Sequence, residues 1–141
     1  MNKDPLDELV DQLQGKIIED IRENYSPLVI EHWQNPQNMG KLEGHNAHAK
    51  VTGQCGDTIE WFLKIEGDFI REVSFLTDGC GSSVACNSIL TVMIKGKTLE
   101  EALQIEPEDL LKIIGKLPQS DRHCAYLAVE TMREAIKKYW R

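Results

Sequence analysis

Three cysteines stand where a thiolate would be useful. Cys80 lies between Gly79 and Gly81, where a run that reads as strand (Phe69, Ile70, Val73, Phe75) hands over to one that reads as helix (Val84, Ile89, Leu90, Met93). Glycines there permit a tight turn and let another group come close to the backbone. The first N–H groups of a helix are unpaired and partly positive, which favours thiolate over thiol. Cys80 is thus placed like a metal ligand or a nucleophile; a small buried turn residue is the competing reading. Cys55 occupies a similar turn, Gly53-Gln54-Cys55-Gly56-Asp57, with a carboxylate two residues on. Cys124 follows Asp121-Arg122-His123 at the start of the last helical run, where a lowered thiol pKa is again expected. Cys55, Cys80 and Cys124 with Asp57 and His123 make five candidate ligands for one metal centre. None has the Cys-x-x-Cys spacing of zinc ribbons, and spacing alone leaves open whether the three loops converge.

The elements that must position these residues follow from periodicity. Leu6, Leu9, Val10, Leu13, Ile17, Ile18 and Ile21 predict an amphipathic helix over 5–24, with its stripe packed on its own domain. Ser26 and Pro27 open a second, short helix carrying Val29, Ile30 and Trp33. The period then becomes two. Ala47, Ala49 and Val51 form a weak strand. Ile59, Trp61, Leu63 and Ile65 form a clear one, with Glu60, Phe62, Lys64 and Glu66 facing outward. Val73 and Phe75 belong to a third strand after a Gly67-Asp68 turn. Helices follow: from Cys80 to about Lys95 with Gly96 as cap, from Thr98 through Leu103, from Glu106 to Gly115, and a last one beginning near Ser120 or Asp121. Strands followed by helices predict an α+β fold, a three-stranded antiparallel sheet flanked by helices.

At 141 residues and 41% apolar content the chain suits one domain with a real core. A net charge of −7 argues against nucleic acid and anionic membranes as partners, and no apolar run reaches transmembrane length. The N-terminus lacks a signal-peptide pattern, so a cytoplasmic, reducing compartment is expected, where cysteines serve metal or catalysis rather than disulfides.

The motifs Gly-x-Cys-Gly-Asp at Cys55, Asp-Gly-Cys-Gly-Ser-Ser-x-Ala at Cys80 and His-Cys-x-x-Leu-Ala at Cys124 closely resemble those of the iron–sulfur cluster assembly scaffold family, the IscU and NifU N-terminal domain type. The resemblance extends over about residues 25–139. It implies an IscU/NifU-like, SufE-like fold with the cysteines gathered at one exposed end, a scaffold domain over 25–141, and residues 1–24 as a helical extension. It implies that Cys55, Cys80 and Cys124 ligate a [2Fe–2S] cluster, that Asp57 keeps the cluster exchangeable, that His123 is an alternative ligand, and that Cys124 accepts persulfide sulfur. It implies a cysteine desulfurase and apo iron–sulfur proteins or carriers as partners, and a carrier rather than an enzyme. A cluster wants four protein ligands, usually thiolates. Three cysteines leave a position for a more easily displaced group, which suits a protein that hands its cluster on. The same residues suit Zn²⁺, so zinc in an isolated sample is compatible with that reading.

The chain departs from the family in places. The Leu-Pro-Pro-Val-Lys segment that a dedicated chaperone reads in some members is Leu117-Pro118-Gln119-Ser120-Asp121 here, so release by that route is not expected. The insertion of the zinc-dependent sulfurtransferase branch, the SufU type, is missing between Cys80 and Cys124. Two competing readings stand beside the scaffold: a zinc-dependent sulfur acceptor that stimulates a desulfurase, and a structural zinc domain. Cys86 reads as helix packing, His45 and His48 as surface histidines, and His32 and Trp33 as packing residues. The N-terminal helix either covers the sheet or makes a homo-oligomer.

Overall fold

The computed structural model of the protein describes residues 5–54 and 56–140. Two helices, α1 (Pro5–Asn24) and α2 (Pro27–Gln34), precede strands β1 (Ala47–Thr52), β2 (Thr58–Glu66) and β3 (Phe69–Thr77). Helices α3 (Gly81–Ile94), α4 (Leu99–Leu103) and α5 (Pro107–Ile114), a 3-10 turn (Gln119–Asp121) and α6 (His123–Tyr139) complete the described chain. The strands form one antiparallel sheet in the order β1-β2-β3, so the fold is α+β as the periodicity predicts. No helix among the described residues is long and apolar enough to cross a membrane.

Local signals set most boundaries. The Ser26 hydroxyl accepts from the Val29 N–H at 3.1 Å with Pro27 at the first helical position. Thr98 and Glu101 form a reciprocal capping box, each side chain bonded to the other's backbone N–H at 3.1 Å. Gly96, at φ +84, closes α3 in the left-handed region that glycine enters without a steric cost. The last helix begins at His123, later than the periodicity suggests, because Gln119–Asp121 winds tighter, with the Asp121 N–H on the Pro118 carbonyl at 2.9 Å.

The core lies between one sheet face and helices α3 and α6. Ala49, Ile59, Trp61, Leu63 and Phe75 contribute from the sheet, and Leu90, Ile94, Ala128, Met132 and Ile136 from the helices, all fully buried. Ile70 joins that face although it is out of step with Val73 and Phe75, because the β2–β3 register shifts between Lys64 and Ile65. The outward position assigned to Phe62 needs correction. Phe62 is buried on the opposite face, with the rings of His45 and His48 packed on it at centroid distances of 5.0 and 5.1 Å. The two histidines are therefore half-buried covers for a phenylalanine, His48 also bonding Glu60 at 2.5 Å. On α1, Leu6 and Leu9 are exposed. The side chains of Val10, Leu13, Ile17, Ile18 and Ile21 lie outside the described residues.

Helix α3 is buried on nearly every side, yet carries Ser82, Ser83, Asn87, Ser88 and Thr91 in its interior. Each has a partner. Asn87 accepts from the Trp61 indole N–H at 2.7 Å and donates to the Ser83 carbonyl at 2.8 Å. The Ser88 hydroxyl meets the Gln37 N–H and His32 Nδ1, both at 2.7 Å, and Asn38 donates to Thr91 at 3.1 Å. Asn87→Ala leaves the buried indole N–H without an acceptor and opens a small void. We expect a stability loss of about 2–4 kcal/mol in a urea unfolding titration. A loss below about 0.5 kcal/mol, the range of a neutral surface change, would show that the pair contributes nothing.

Candidate metal centre

Three loops must meet for the predicted ligand set to exist. The first, between β1 and β2, is tightened by the Gly53 N–H on the Asp57 carbonyl at 2.9 Å and the Gly56 N–H on the Gly53 carbonyl at 3.0 Å. Gly56 holds φ +90, which a side chain would strain. Cys55 itself lies outside the described residues. The second loop is bonded to the first. Asp78 accepts from the Thr58 N–H at 2.7 Å, and Thr77 donates to the Thr58 carbonyl at 3.1 Å while accepting from the Gly79 N–H at 3.0 Å. The strand-to-helix turn is thus fastened next to Asp57.

Gly79 and Gly81 are needed for close approach, not for a left-handed backbone, since neither has positive φ. A Cβ on Gly79 would lie 2.8 Å from Ser83 and 3.0 Å from Asp57 Oδ2. A Cβ on Gly81 would lie 2.4 Å from the Trp33 ring. Trp33 is therefore more than general packing. Its indole lies against the turn, and it lines a cleft of about 290 Å³ with Tyr25, Cys80, Gly81, Ser82 and Asp121.

The third loop reaches the other two. Thr52, Gly53 and Gln54 of the first loop line a cleft of about 510 Å³ together with His123, Tyr126 and Leu127 of α6. Cys80 is exposed as the N-cap of α3, whereas Cys124 is 1% exposed. Burial is the largest influence on the Cys124 thiol and raises its pKa; the nearby Cys86, Cys80 and Asp121 raise it further, as does a hydrogen bond to Cys80. This corrects the lowered pKa expected for Cys124: desolvation outweighs the favourable field of a helix start. His123 Nδ1 is 2.9 Å from the Ser120 carbonyl, which can only accept, so Nδ1 carries the proton. That leaves Nε2 as the free lone pair, 3.7 Å from Cys124 Sγ.

Cys86 packs in the core as expected, fully buried, its thiol pushed up to about 12 mainly by burial, with the charges of Cys80 and Asp121 adding to it. Among the described residues no three His, Cys, Asp or Glu stand together in a metal-holding arrangement. The described part of the set is two neighbouring cysteines, a carboxylate against Gly79 and an imidazole nitrogen beside Cys124.

One group escaped the sequence reading. Asp121, named there as a neighbour of Cys124 and a possible helix start but given no partner, accepts from the Tyr25 hydroxyl at 3.0 Å and the Ser82 hydroxyl at 2.8 Å. Tyr25 precedes α2 and Ser82 opens α3, so no periodicity or spacing links the three.

The chain is similar to the Iron-sulfur cluster assembly scaffold protein IscU 1 of Archaeoglobus fulgidus, 39% identical over 118 residues, 83% of this chain and 77% of that one. It is 40% identical to the IscU scaffold protein of Aquifex aeolicus, over 82% of this chain and 75% of that one. In fold it matches the N-terminal part of a NifU-like protein from Brucella abortus, with a TM-score of 0.67 over 85% of this chain and 96% of that one, at 19% identity. The NifU-like N terminal domain family model matches residues 24–141, so the chain belongs to the IscU and NifU N-terminal domain family that its three cysteine motifs resemble.

Proposed function

We propose that the protein is a scaffold on which a [2Fe–2S] cluster is built from iron and persulfide-derived sulfur and passed to apo-proteins. The ligands are Cys55, Cys80 and Cys124, with Asp57 or His123 in the fourth place. Residues 25–141 are the scaffold domain and residues 1–24 an extension to it. The observation that carries this reading is the proximity of Cys80 and Cys124. They come from different helices, with the Asp57 carboxylate and His123 Nε2 beside them, in a family with members named as scaffolds. Two soft sulfur donors with one hard oxygen and one borderline nitrogen suit iron, and suit zinc as well.

In this reading a cysteine desulfurase supplies sulfur as a persulfide. The Cys124 thiolate attacks the outer sulfur, a new S–S bond forms on Cys124, the bond within the donor persulfide breaks, and the donor cysteine leaves as thiolate. His123 Nε2, with Nδ1 committed to Ser120, is placed to take the Cys124 proton. The protein ends each round unchanged, so it acts as a carrier.

Anaerobic incubation with ferrous iron, a desulfurase and cysteine should produce a sulfide-to-iron charge-transfer spectrum, lost in Cys80→Ser. A chain that never holds iron-bound sulfide, but keeps stoichiometric zinc while stimulating the desulfurase, would favour the zinc-dependent sulfur acceptor instead. Asp57→Ala should make the bound cluster longer-lived, because a carboxylate exchanges more readily than a thiolate at an iron site. The decay of the visible absorbance under a chelator measures this, and faster decay than in the unaltered chain would refute the role given to Asp57.

A further inference from the structure

The Cys124 thiol is almost completely covered. Any reaction at its sulfur requires the cover to move. The segment that leads into Cys124, 118–123, touches the sulfur through His123 Nε2 at 3.7 Å, and what holds that segment is sparse. Upstream, Leu117 is buried, and the Ser26 N–H and hydroxyl bond the Lys116 and Ile114 carbonyls at 2.8 and 2.5 Å. Beyond Leu117, Gln119, Ser120, Arg122 and His123 are all exposed. The His123 bond to Ser120 and the Ser120 bond to Asp121 stay within the segment. Apart from the His123 contact with Cys124 itself, Asp121 alone, among the described side-chain bonds of this segment, reaches outside it, through one oxygen shared by Tyr25 and Ser82.

We propose that the Asp121 carboxylate is a latch that holds segment 118–123 closed over Cys124, and that breaking its bonds to Tyr25 and Ser82 exposes the Cys124 sulfur. The geometry favours opening as a unit. One carboxylate oxygen takes both hydroxyls, so a displacement that loses one weakens the other. The anchor at Leu117 and the first turn of α6 then serve as the two ends of the moving piece. Tyr25 and Ser82 also line the cleft beside exposed Cys80. A partner residue entering that cleft competes for the same hydroxyls, which couples occupation of the cleft to exposure of Cys124. Asp121 is a positioning residue in this scheme, and its link to sulfur acceptance rests on the reading under Proposed function. The latch itself does not.

The test is alkylation of the full chain, freed of metal, by iodoacetamide, with each cysteine quantified by mass spectrometry over time. The informative variant is Tyr25→Phe with Ser82→Ala. It keeps the Asp121 charge, so a faster reaction cannot come from an electrostatic change at the thiol. Cys124 modification should rise about tenfold for each hydrogen bond removed, as expected for a bond to a charged acceptor. Cys80, already exposed, should keep its rate. Cys86 reports on general loosening, because it is reached only when the core opens. An unchanged Cys124 rate overturns the latch. A parallel rise at Cys86 overturns it as well, since that would mean global destabilisation. No desulfurase or iron enters the measurement, so its failure leaves the scaffold reading standing, and failure of cluster assembly leaves the latch standing.

Discussion

The fold depends on placing one polar helix in the interior. Helix α3 is covered by the sheet, α2 and α6, and an interior helix with serine, asparagine and threonine on its surface is costly unless each group finds a partner. The partners come from everywhere the site needs order. Trp61 of β2 donates to Asn87, the loop after α2 takes Ser88 and Thr91, Thr77 at the end of β3 meets Ser83 at 3.2 Å, and Asp121 takes Ser82. The helix thereby serves as the common reference for three loops far apart in sequence. Its N-cap is Cys80. The residue that must be held in a defined place sits at the end of the element to which the loop after α2, the β3–α3 turn and segment 118–123 are all bonded.

That arrangement explains which parts were legible in the sequence. Periodicity and capping act within a few residues, so the helix from Pro5, the Ser26 and Thr98 caps, the strands and the meander could be read directly. The cysteine motifs were legible for the same reason, each being a short turn. Phe62 could not be placed, because its burial depends on His45 and His48 folding back from another loop over what alternation assigns to solvent. Ile70 was visible as apolar but its face was set by a register shift. Cys124 illustrates the limit most clearly. A thiol at a helix start reads as activated, and only the packing around it shows that burial reverses the sign. Asp121 was invisible as a contact, since its partners lie 96 and 39 residues away in the chain.

The two central cysteines are consequently unequal. Cys80 is in contact with solvent, and its turn is glycine-bounded because Ser83, Asp57 and the Trp33 ring stand where side chains would go. Cys124 lies close to it and is shielded. A site with one open face and one closed face favours exchange from a single side. The open face carries Cys80 and the exposed His123, and the closed face carries Cys124.

The shielding of Cys124 has a chemical consequence that also accounts for the neighbouring acid. A free thiolate at that position would be exposed to oxidation and to unspecific metal capture. Burial, the adjacent thiol and the Asp121 carboxylate all hold the proton on Cys124 while the site is at rest. A cation held by the sulfurs would offset these influences, since its positive charge stabilises thiolate. The acid at position 121 therefore has two attachments to the site, its charge beside Cys124 and its bonds to Tyr25 and Ser82.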